Sequence, residues 1–587
     1  MQGAVFWEQV VSFSYMHDIH LGEMILTVYF PPTTKSTLKV NCARPSLFFQ
    51  LSNLRSYCYT KIMSNHFSRV YAAQTVGLAA HIINVETDIV KNTLHAFSIV
   101  GLPDKAVEEA RDRVSAAIKN IGFSSPKSSQ QKTVVSLAPA DIRKEGPAFD
   151  VAMAVGFLLA DEQITFDPEK KMFLGELALD GALRPLKGVL PLVREALRQK
   201  FTDVFVPKGN AAEAALVEGI TVYGAATLRD IVEHIDDTDP VKKDGKRKNV
   251  ARVLLSPEPH HEIVSGVSRA ATDMADVRGQ ESAKRGLEIA AAGGHNVCMY
   301  GPPGTGKTML ARAFAGLLPP LSLDEALEIT AIHSVAGTLG DVLQVSAPFR
   351  APHHTASHTS IIGGGTVPKP GEVTLAHRGV LFMDEFPEFD KRVIEALRQP
   401  LEDNIITVSR VKGTETFPAN VILIAAMNPC PCGNFGSAKR CTCTQTQLLG
   451  YRKKLSGPIM DRIDIWLHVD AVNHAALDTS APRGEGSDAV RERVARARDV
   501  QRTRFADARH IGTNSDMRAR DVDERAAMSE KARETLVDSA RALGLSARAY
   551  HKTIKVARTI ADMANSETVE ESHILEALRY RPQVWEV

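Results

Sequence analysis

A chain of 587 residues is too long for one hydrophobic core, so roughly two to four domains are expected. Apolar residues make up 44% and charged residues 24%, the balance of a soluble globular protein rather than a disordered or collagen-like one. The net charge of +1 excludes binding of nucleic acid by bulk charge and leaves that task to local basic patches.

No uninterrupted apolar run is long enough to span a membrane. Met1–Glu8 lacks a basic stretch followed by an apolar core, so no secretory signal is expected. Seven cysteines are an odd number, and four of them lie close together. That pattern favours a reducing compartment, with free thiols or a metal site, over a disulfide framework. The cytoplasm is the expected location.

Residues 1–67 mix apolar and polar side chains without a sustained period. They read as an atypical N-terminal extension, or as an artefact of start-site choice with translation beginning at Met63. Residues 68–235 read as a mixed α/β unit. Val70–Val85 and Ala96–Val100 have strand patterning. Asp104–Asn120 has apolar residues at helical spacing. Thr133–Leu137 is a strand, Phe149–Leu159 an apolar helix, Val189–Arg198 a helix and Asp203–Pro207 a strand. No nucleophile with a nearby base stands out here. Residues 236–274 form a linker that includes the basic run Lys242–Lys248.

Residues 275–475 carry the motifs with chemistry. Val297–Tyr300 reads as a buried strand and Met309–Leu318 as a helix. Between them Gly301, Pro302, Pro303, Gly304, Thr305, Gly306, Lys307 and Thr308 form G-x-x-x-x-G-K-T. Glycines there let backbone N–H groups close around phosphate oxygens at a helix N-terminus. Lys307 would reach the β and γ phosphates of ATP, and Thr308 would offer a hydroxyl to Mg2+. The apolar strand Gly379–Met383 ends in Asp384 and Glu385. Asp384 would hold Mg2+ and Glu385 would deprotonate the attacking water. A third apolar strand, Val421–Met427, ends in Asn428, an amide suited to positioning that water.

Other features admit two readings. Two alternating strands around Lys412-Gly413 form a hairpin with Arg410 and Lys412 near its tip, either an ordinary exposed hairpin or a grip on nucleic-acid phosphates. Arg462 is a surface ion-pair residue or an arginine finger for a neighbouring subunit, which would require a ring. The histidine-dense Pro348–His358 reads as a loop rather than a metal site. Cys430, Cys432, Cys441 and Cys443 suit a tetrahedral Zn2+, with a redox pair as the alternative. Residues 476–587 read as a helical bundle of Val490–Phe505, Ser529–Leu543, Ala547–Asn565 and Val569–Tyr580. Ser546 is its plausible cap and Arg548 a surface charge or a γ-phosphate contact.

Gly279-Gln280, Glu288–Asn296, the phosphate loop, Phe349–His354, Asn428–Gly433 and Leu545–Tyr550 together resemble the YifB/ComM family of magnesium-chelatase-like AAA+ ATPases. The resemblance spans roughly residues 68–582. It implies a Lon-protease-like front domain of the S5 domain 2-like kind, an AAA+ phosphate-loop core and a C-terminal helical lid. It further implies a homo-hexameric ring whose ComM members drive DNA branch migration, acting on single-stranded or branched DNA. By that likeness Asn428 is the first sensor, Arg462 the finger and Arg548 the second sensor. The front domain departs from a Lon peptidase. Ala148 stands where the serine would be and Leu190 where the lysine would be, so no peptidase activity is expected. A magnesium-chelatase subunit powering metal insertion, and a nucleotide-gated scaffold, are the competing functions.

Overall fold

The computed structural model describes residues 23–30, 34–41, 66–128, 130–237, 254–260, 272–340, 343–365, 368–410, 413–435, 439–471, 484–508 and 511–582. Only the backbone is described for the first two stretches and for residues 410 and 413. The leading strands Glu23–Phe30 and Thr34–Asn41 pair antiparallel in a unit of their own, although no strand period is evident there in the sequence. Residues 68–587 form the second unit.

That second unit begins with a seven-stranded mixed sheet. Its strands are β1 (Phe67–Val76), β2 (Ala79–Lys91), β3 (Ala96–Val100), β4 (Gln131–Ala138), β5 (Lys171–Phe173), β6 (Asp203–Pro207) and β7 (Thr221–Ala225), in the order β7-β6-β5-β1-β2-β4-β3. The apolar run from Val70 to Val85 is therefore two strands, divided by a turn at Gly77, whose φ is +59°. Helices α1 (Lys105–Asn120) and α2 (Asp150–Ala160) cover one core, and α3 (Val189–Arg198) covers another. Helix α2 is buried along almost its whole length, which explains its uninterrupted apolar sequence. Residues 254–260 of the expected linker lie against this sheet: Glu258 N–H donates to Val222 O at 2.8 Å. The basic run Lys242–Lys248 lies outside the described residues.

The first residue of α2, Asp150, is fully buried and accepts both Nε and Nη2 of Arg113, at 2.8 and 3.1 Å. Burial pushes its carboxyl up to about 6, against the pull of the guanidinium. Removing one partner of such a pair leaves a charge without compensation.

The second sheet is parallel throughout. It contains β8 (Val297–Tyr300), β9 (Phe349–Arg350), β10 (Val380–Met383), β13 (Ile422–Met427) and β14 (Ile465–His468), in the order β9-β10-β13-β8-β14. Strands β11 (Ile405–Arg410) and β12 (Gly413–Pro418) form the expected hairpin, with Arg410 opposite Gly413. Alternate residues of the parallel strands enter different cores. Val297, Met299, Val380, Phe382, Ile422 and Ile424 face one, while Cys298, Leu381, Met383, Leu423 and Ala425 face the other. Two buried faces require a continuous apolar run, which is how these strands read.

Helices α4 (Glu281–Gly293), α5 (Lys307–Ala315) and α6 (Leu323–Ala336) belong to this domain. α5 begins two residues before the start expected from the sequence, directly at Lys307. The segment Gln445–Arg452 is α7. The terminal bundle contains α8 (Ser487–Arg504), α9 (Glu530–Ala542), α10 (Ala547–Met563) and α11 (Glu571–Leu578). Ser546 caps α10 by accepting Ala549 N–H. Buried Asp562 of α10 ties the bundle together, accepting from Arg504, Asn514 and Arg558.

The two sheets are joined through α6. Ser334 Oγ donates to Glu213 Oε1, and Gly188 N–H donates to Ser334 Oγ at 2.9 Å. The same Glu213 oxygen accepts Leu190 N–H at 2.9 Å. Leu190 itself is fully buried in the core around α3.

Arg113→Ala is expected to lower unfolding free energy by about 3 kcal/mol, through the stranded Asp150 carboxylate. Urea denaturation measures this; a loss under about 0.5 kcal/mol would mean the pair contributes nothing net.

Candidate functional site

Because the strands are parallel and in register, their C-terminal ends meet at one edge. Tyr300 pairs with Met427, and Met383 with Ala425. The residues that follow, Gly301, Asn428 and Asp384, therefore leave the sheet side by side. Ligands of open parallel sheets bind at this edge.

The phosphate loop spans Gly301–Thr308. Gly306 has φ +92° immediately before Lys307, a conformation that a side chain would strain. The turn releases the chain into α5, whose first N–H groups are unpaired and carry positive potential. Lys307 is buried, and burial pulls its ammonium pKa down. Its Nζ donates to Gly301 O and Pro302 O, each at 2.8 Å, and to Asn428 Oδ1 at 3.3 Å. Thr305 Oγ1 donates to Pro302 O at 3.0 Å and closes the loop on itself.

Thr308 Oγ1 donates to Asp384 Oδ2 at 2.9 Å. A hydroxyl and a carboxylate at this distance are the oxygen ligands that Mg2+ takes beside phosphates. Glu385 has φ +51°, and its N–H donates to Asp384 Oδ1 at 2.9 Å. Its Oε2 lies 3.1 Å from His354 Nδ1. His354 belongs to the loop after β9 and rests on His353, with ring centroids 4.2 Å apart. His354 lies in one of the family-like segments, Phe349–His354, but no local pattern paired it with Glu385. The histidine-dense Pro348–His358 reads as a loop in the sequence, and the strand order brings that loop beside Glu385.

Two of the sequence candidates stand apart from the loop. Arg462 donates to Glu402 Oε2 and, at 2.6 Å, to Pro458 O. Arg548 Nη1 lies 3.9 Å from Asp461 Oδ2, beside Arg462 in the chain. The two arginines thus share one neighbourhood, and among the described residues no hydrogen bond or ion pair joins either side chain to the phosphate loop. The backbone of Arg410 is described, but its side chain and all of Lys412 lie outside the described residues.

A buried network missed in the sequence links the site to the bundle. Asp464 accepts Asn296 N–H at 3.2 Å, sits 2.8 Å from Lys552 Nζ of α10 and lies 3.6 Å from His295 Nδ1. Burial raises the Asp464 carboxyl, but Lys552 and His295 outweigh it and hold the group well below the usual range. His295 Nε2 also meets Thr559 Oγ1 of α10 at 2.8 Å.

Beyond Asn428 the four thiols of Cys430, Cys432, Cys441 and Cys443 lie within 4.8 Å of one another, a set that can hold a metal ion. The N–H groups of Asn434 and Thr442 bring the Cys432 thiol down to about 5.

A glycine-rich loop between a parallel strand and a helix, with a threonine–aspartate pair and an amide at the adjacent strand ends, defines a phosphate-loop nucleotide-binding domain. Comparison with known proteins gives its family. Residues 273–477 match the model described as magnesium chelatase, subunit ChlI. Residues 85–210 match subunit ChlI of Mg-chelatase, and residues 484–581 match the ChlI C-terminal model. The chain is 39% identical over 517 residues to the competence protein ComM of Haemophilus influenzae, covering 88% of this chain and 97% of that one. It is 41% identical over 518 residues to YifB of Escherichia coli, covering 88% and 97%. For YifB of Salmonella typhimurium the figures are 41% over 517 residues, with 87% and 96% covered. The chain belongs to the magnesium-chelatase-like family that contains ComM and YifB.

Lys307→Ala removes the ammonium at the centre of the loop. Nucleotide affinity is expected to fall at least about tenfold in a fluorescent-nucleotide titration. Unchanged affinity would place the nucleotide elsewhere.

Proposed function

We propose that this protein is an ATP-hydrolysing AAA+ DNA translocase of the ComM type, working as a homo-hexamer on single-stranded or branched DNA. The observation that carries the ATPase reading is the meeting of Lys307, Thr308, Asp384, Glu385 and Asn428 at one sheet edge. Lys307 binds the β and γ phosphates. Mg2+, held by Thr308 and Asp384, would neutralise phosphate charge. Glu385 accepts the proton of the attacking water, and Asn428 orients it. His354, with its Nδ1 3.1 Å from Glu385 Oε2, fixes where the carboxylate points.

Arg462 and Arg548 act across a subunit boundary in this reading. Support comes from their shared position around Asp461, away from their own phosphate loop. A finger that serves the neighbouring site couples each hydrolysis event to the next subunit. DNA as substrate is supported by the relative named a competence protein and by the hairpin β11–β12, whose tip would present Arg410 and Lys412 to a central channel. The front domain, bolted to α6 through Glu213 and Ser334, is a non-peptidase Lon-like brace for the ring. The four thiolates hold Zn2+. Among the described residues no helix is long and apolar enough to cross a membrane, in keeping with work in the cytoplasm.

A second reading follows from the family models themselves, which are described as magnesium chelatase. There ATP turnover would power metal insertion with a porphyrin-binding partner. In a third, turnover gates a scaffold. ATP hydrolysis with and without single-stranded and four-way-junction DNA, at fixed salt, separates them. Several-fold stimulation that disappears in Lys307→Ala is expected. Unstimulated but intact turnover would turn the search toward a protein partner.

Glu385→Gln should bind ATP with near-native affinity and hydrolyse it about a hundredfold or more slower. Near-native turnover would remove Glu385 as the base. Arg410→Ala with Lys412→Ala should flatten the salt dependence of DNA binding, by a log–log slope of about 1.5. An unchanged slope would move the DNA contact off the hairpin.

A further inference from the structure

The strand end that supplies Asn428 continues into the thiol cluster, and the two are mechanically one segment. Cys430 Sγ lies 3.4 Å from Cys432 Sγ and 3.8 Å from Cys441 Sγ, and Cys432 Sγ lies 3.5 Å from Cys441 Sγ. All four cysteines are free, and these separations far exceed a disulfide bond of about 2.05 Å. Sulfurs at about 2.3 Å from a tetrahedral Zn2+ stand about 3.8 Å apart, close to what is found. Backbone donors already serve the sulfurs: Cys432 N–H reaches Cys443 Sγ at 3.4 Å and Phe435 N–H reaches Cys430 Sγ at 3.3 Å. Such outer donors stabilise thiolate ligands and orient them.

Three contacts tie this cluster to the nucleotide site. Asn428 is two residues from fully buried Cys430, and its amide oxygen already meets Lys307 at 3.3 Å. Gly433, at φ +80°, lies directly on the phosphate loop: a Cβ there would sit 2.7 Å from Pro303 Cδ. Past Cys443, Thr444 caps α7, and Tyr451 of α7 returns its hydroxyl to Asn428 O at 3.2 Å. The chain thus leaves Asn428, passes both cysteine pairs and comes back to Asn428. A metal joining the pairs would close this circuit at its open end.

Resting on the zinc reading above, we infer that a zinc–tetrathiolate clamp at Cys430, Cys432, Cys441 and Cys443 positions Asn428 and the Pro303 side of the phosphate loop, so that zinc occupancy sets the rate of ATP hydrolysis. The cysteines are positioning residues and do not touch the nucleotide. Loading releases the remaining thiol protons to solvent and involves no redox step. Loss of the metal removes the cross-link between the two cysteine pairs and leaves the Tyr451 hydrogen bond and the contact with Pro303 in place. Asn428 then samples positions that do not orient water, while Lys307 and the loop N–H groups still bind phosphate.

The test uses the full chain, purified under reducing conditions. Elemental analysis should give about one zinc per chain and no iron. Cys441→Ser with Cys443→Ser should lose the zinc, lower kcat about tenfold or more and leave the Kd for fluorescent ADP within about threefold. Adding Asn428→Ala to that variant should lower kcat little beyond Asn428→Ala alone, because both changes act on one group. Demetallation of the wild-type chain by a chelator should reproduce the kcat loss, and added Zn2+ should restore it. That arm answers a serine variant that misfolds. A wild-type chain that neither carries nor takes up one equivalent of zinc overturns the metal site. Zinc lost with kcat retained overturns the clamp and leaves the metal site standing. Fully multiplicative losses overturn the route through Asn428. A wild-type chain without ATP turnover overturns the ATPase reading itself.

Discussion

The parallel ladder between Val297–Tyr300 and Ile424–Met427 is the constraint on which the rest of this structure depends. It sets the phosphate loop next to Asn428 and, one strand further on, next to Asp384. Backbone hydrogen bonds hold this register, and burial on both faces prevents slippage, since a one-residue shift would exchange the two cores. Asp384 and Asn428 then hang directly from strand ends, and the phosphate loop leaves the end of Val297–Tyr300 beside them. The Thr308–Asp384 and Lys307–Asn428 contacts are consequences of that register.

The site is also braced from outside the sheet. Asp464, with Lys552 and His295, connects the start of β8 to helix α10 of the terminal bundle. A buried carboxylate in this setting is stable only while its partners stay in place, so the network resists separation of bundle and sheet. On the other side, Glu213 of the front domain accepts from Ser334 of α6 and from the backbone at Leu190. These contacts fix α6 to the front domain.

Leu190 packs into the core, and its N–H donates to Glu213. The position has become part of the joint between domains. Four thiols within 4.8 Å of one another follow Asn428 in the chain. A metal cross-link is an effective way to stiffen such a segment.

Much of the core was legible in the residues themselves. The phosphate loop, the strand ending in Asp384-Glu385 and the strand ending in Asn428 are local patterns. Each follows from apolar runs that only a doubly covered strand can bury, with polar side chains at their ends. The helices of the bundle were legible by their period, and Ser546 by its place before one of them. The division of Val70–Val85 was not, because both strands are apolar and the turn is marked only by Gly77. Residue types and spacing along the chain thus determined which groups could bind phosphate, Mg2+ and a thiophilic metal. Only the tertiary structure decided that His354 meets Glu385, that Ser334 meets Glu213 and that Asp464 meets Lys552. These partners are far apart in sequence, and their meeting depends on strand order and packing, which no local spacing encodes.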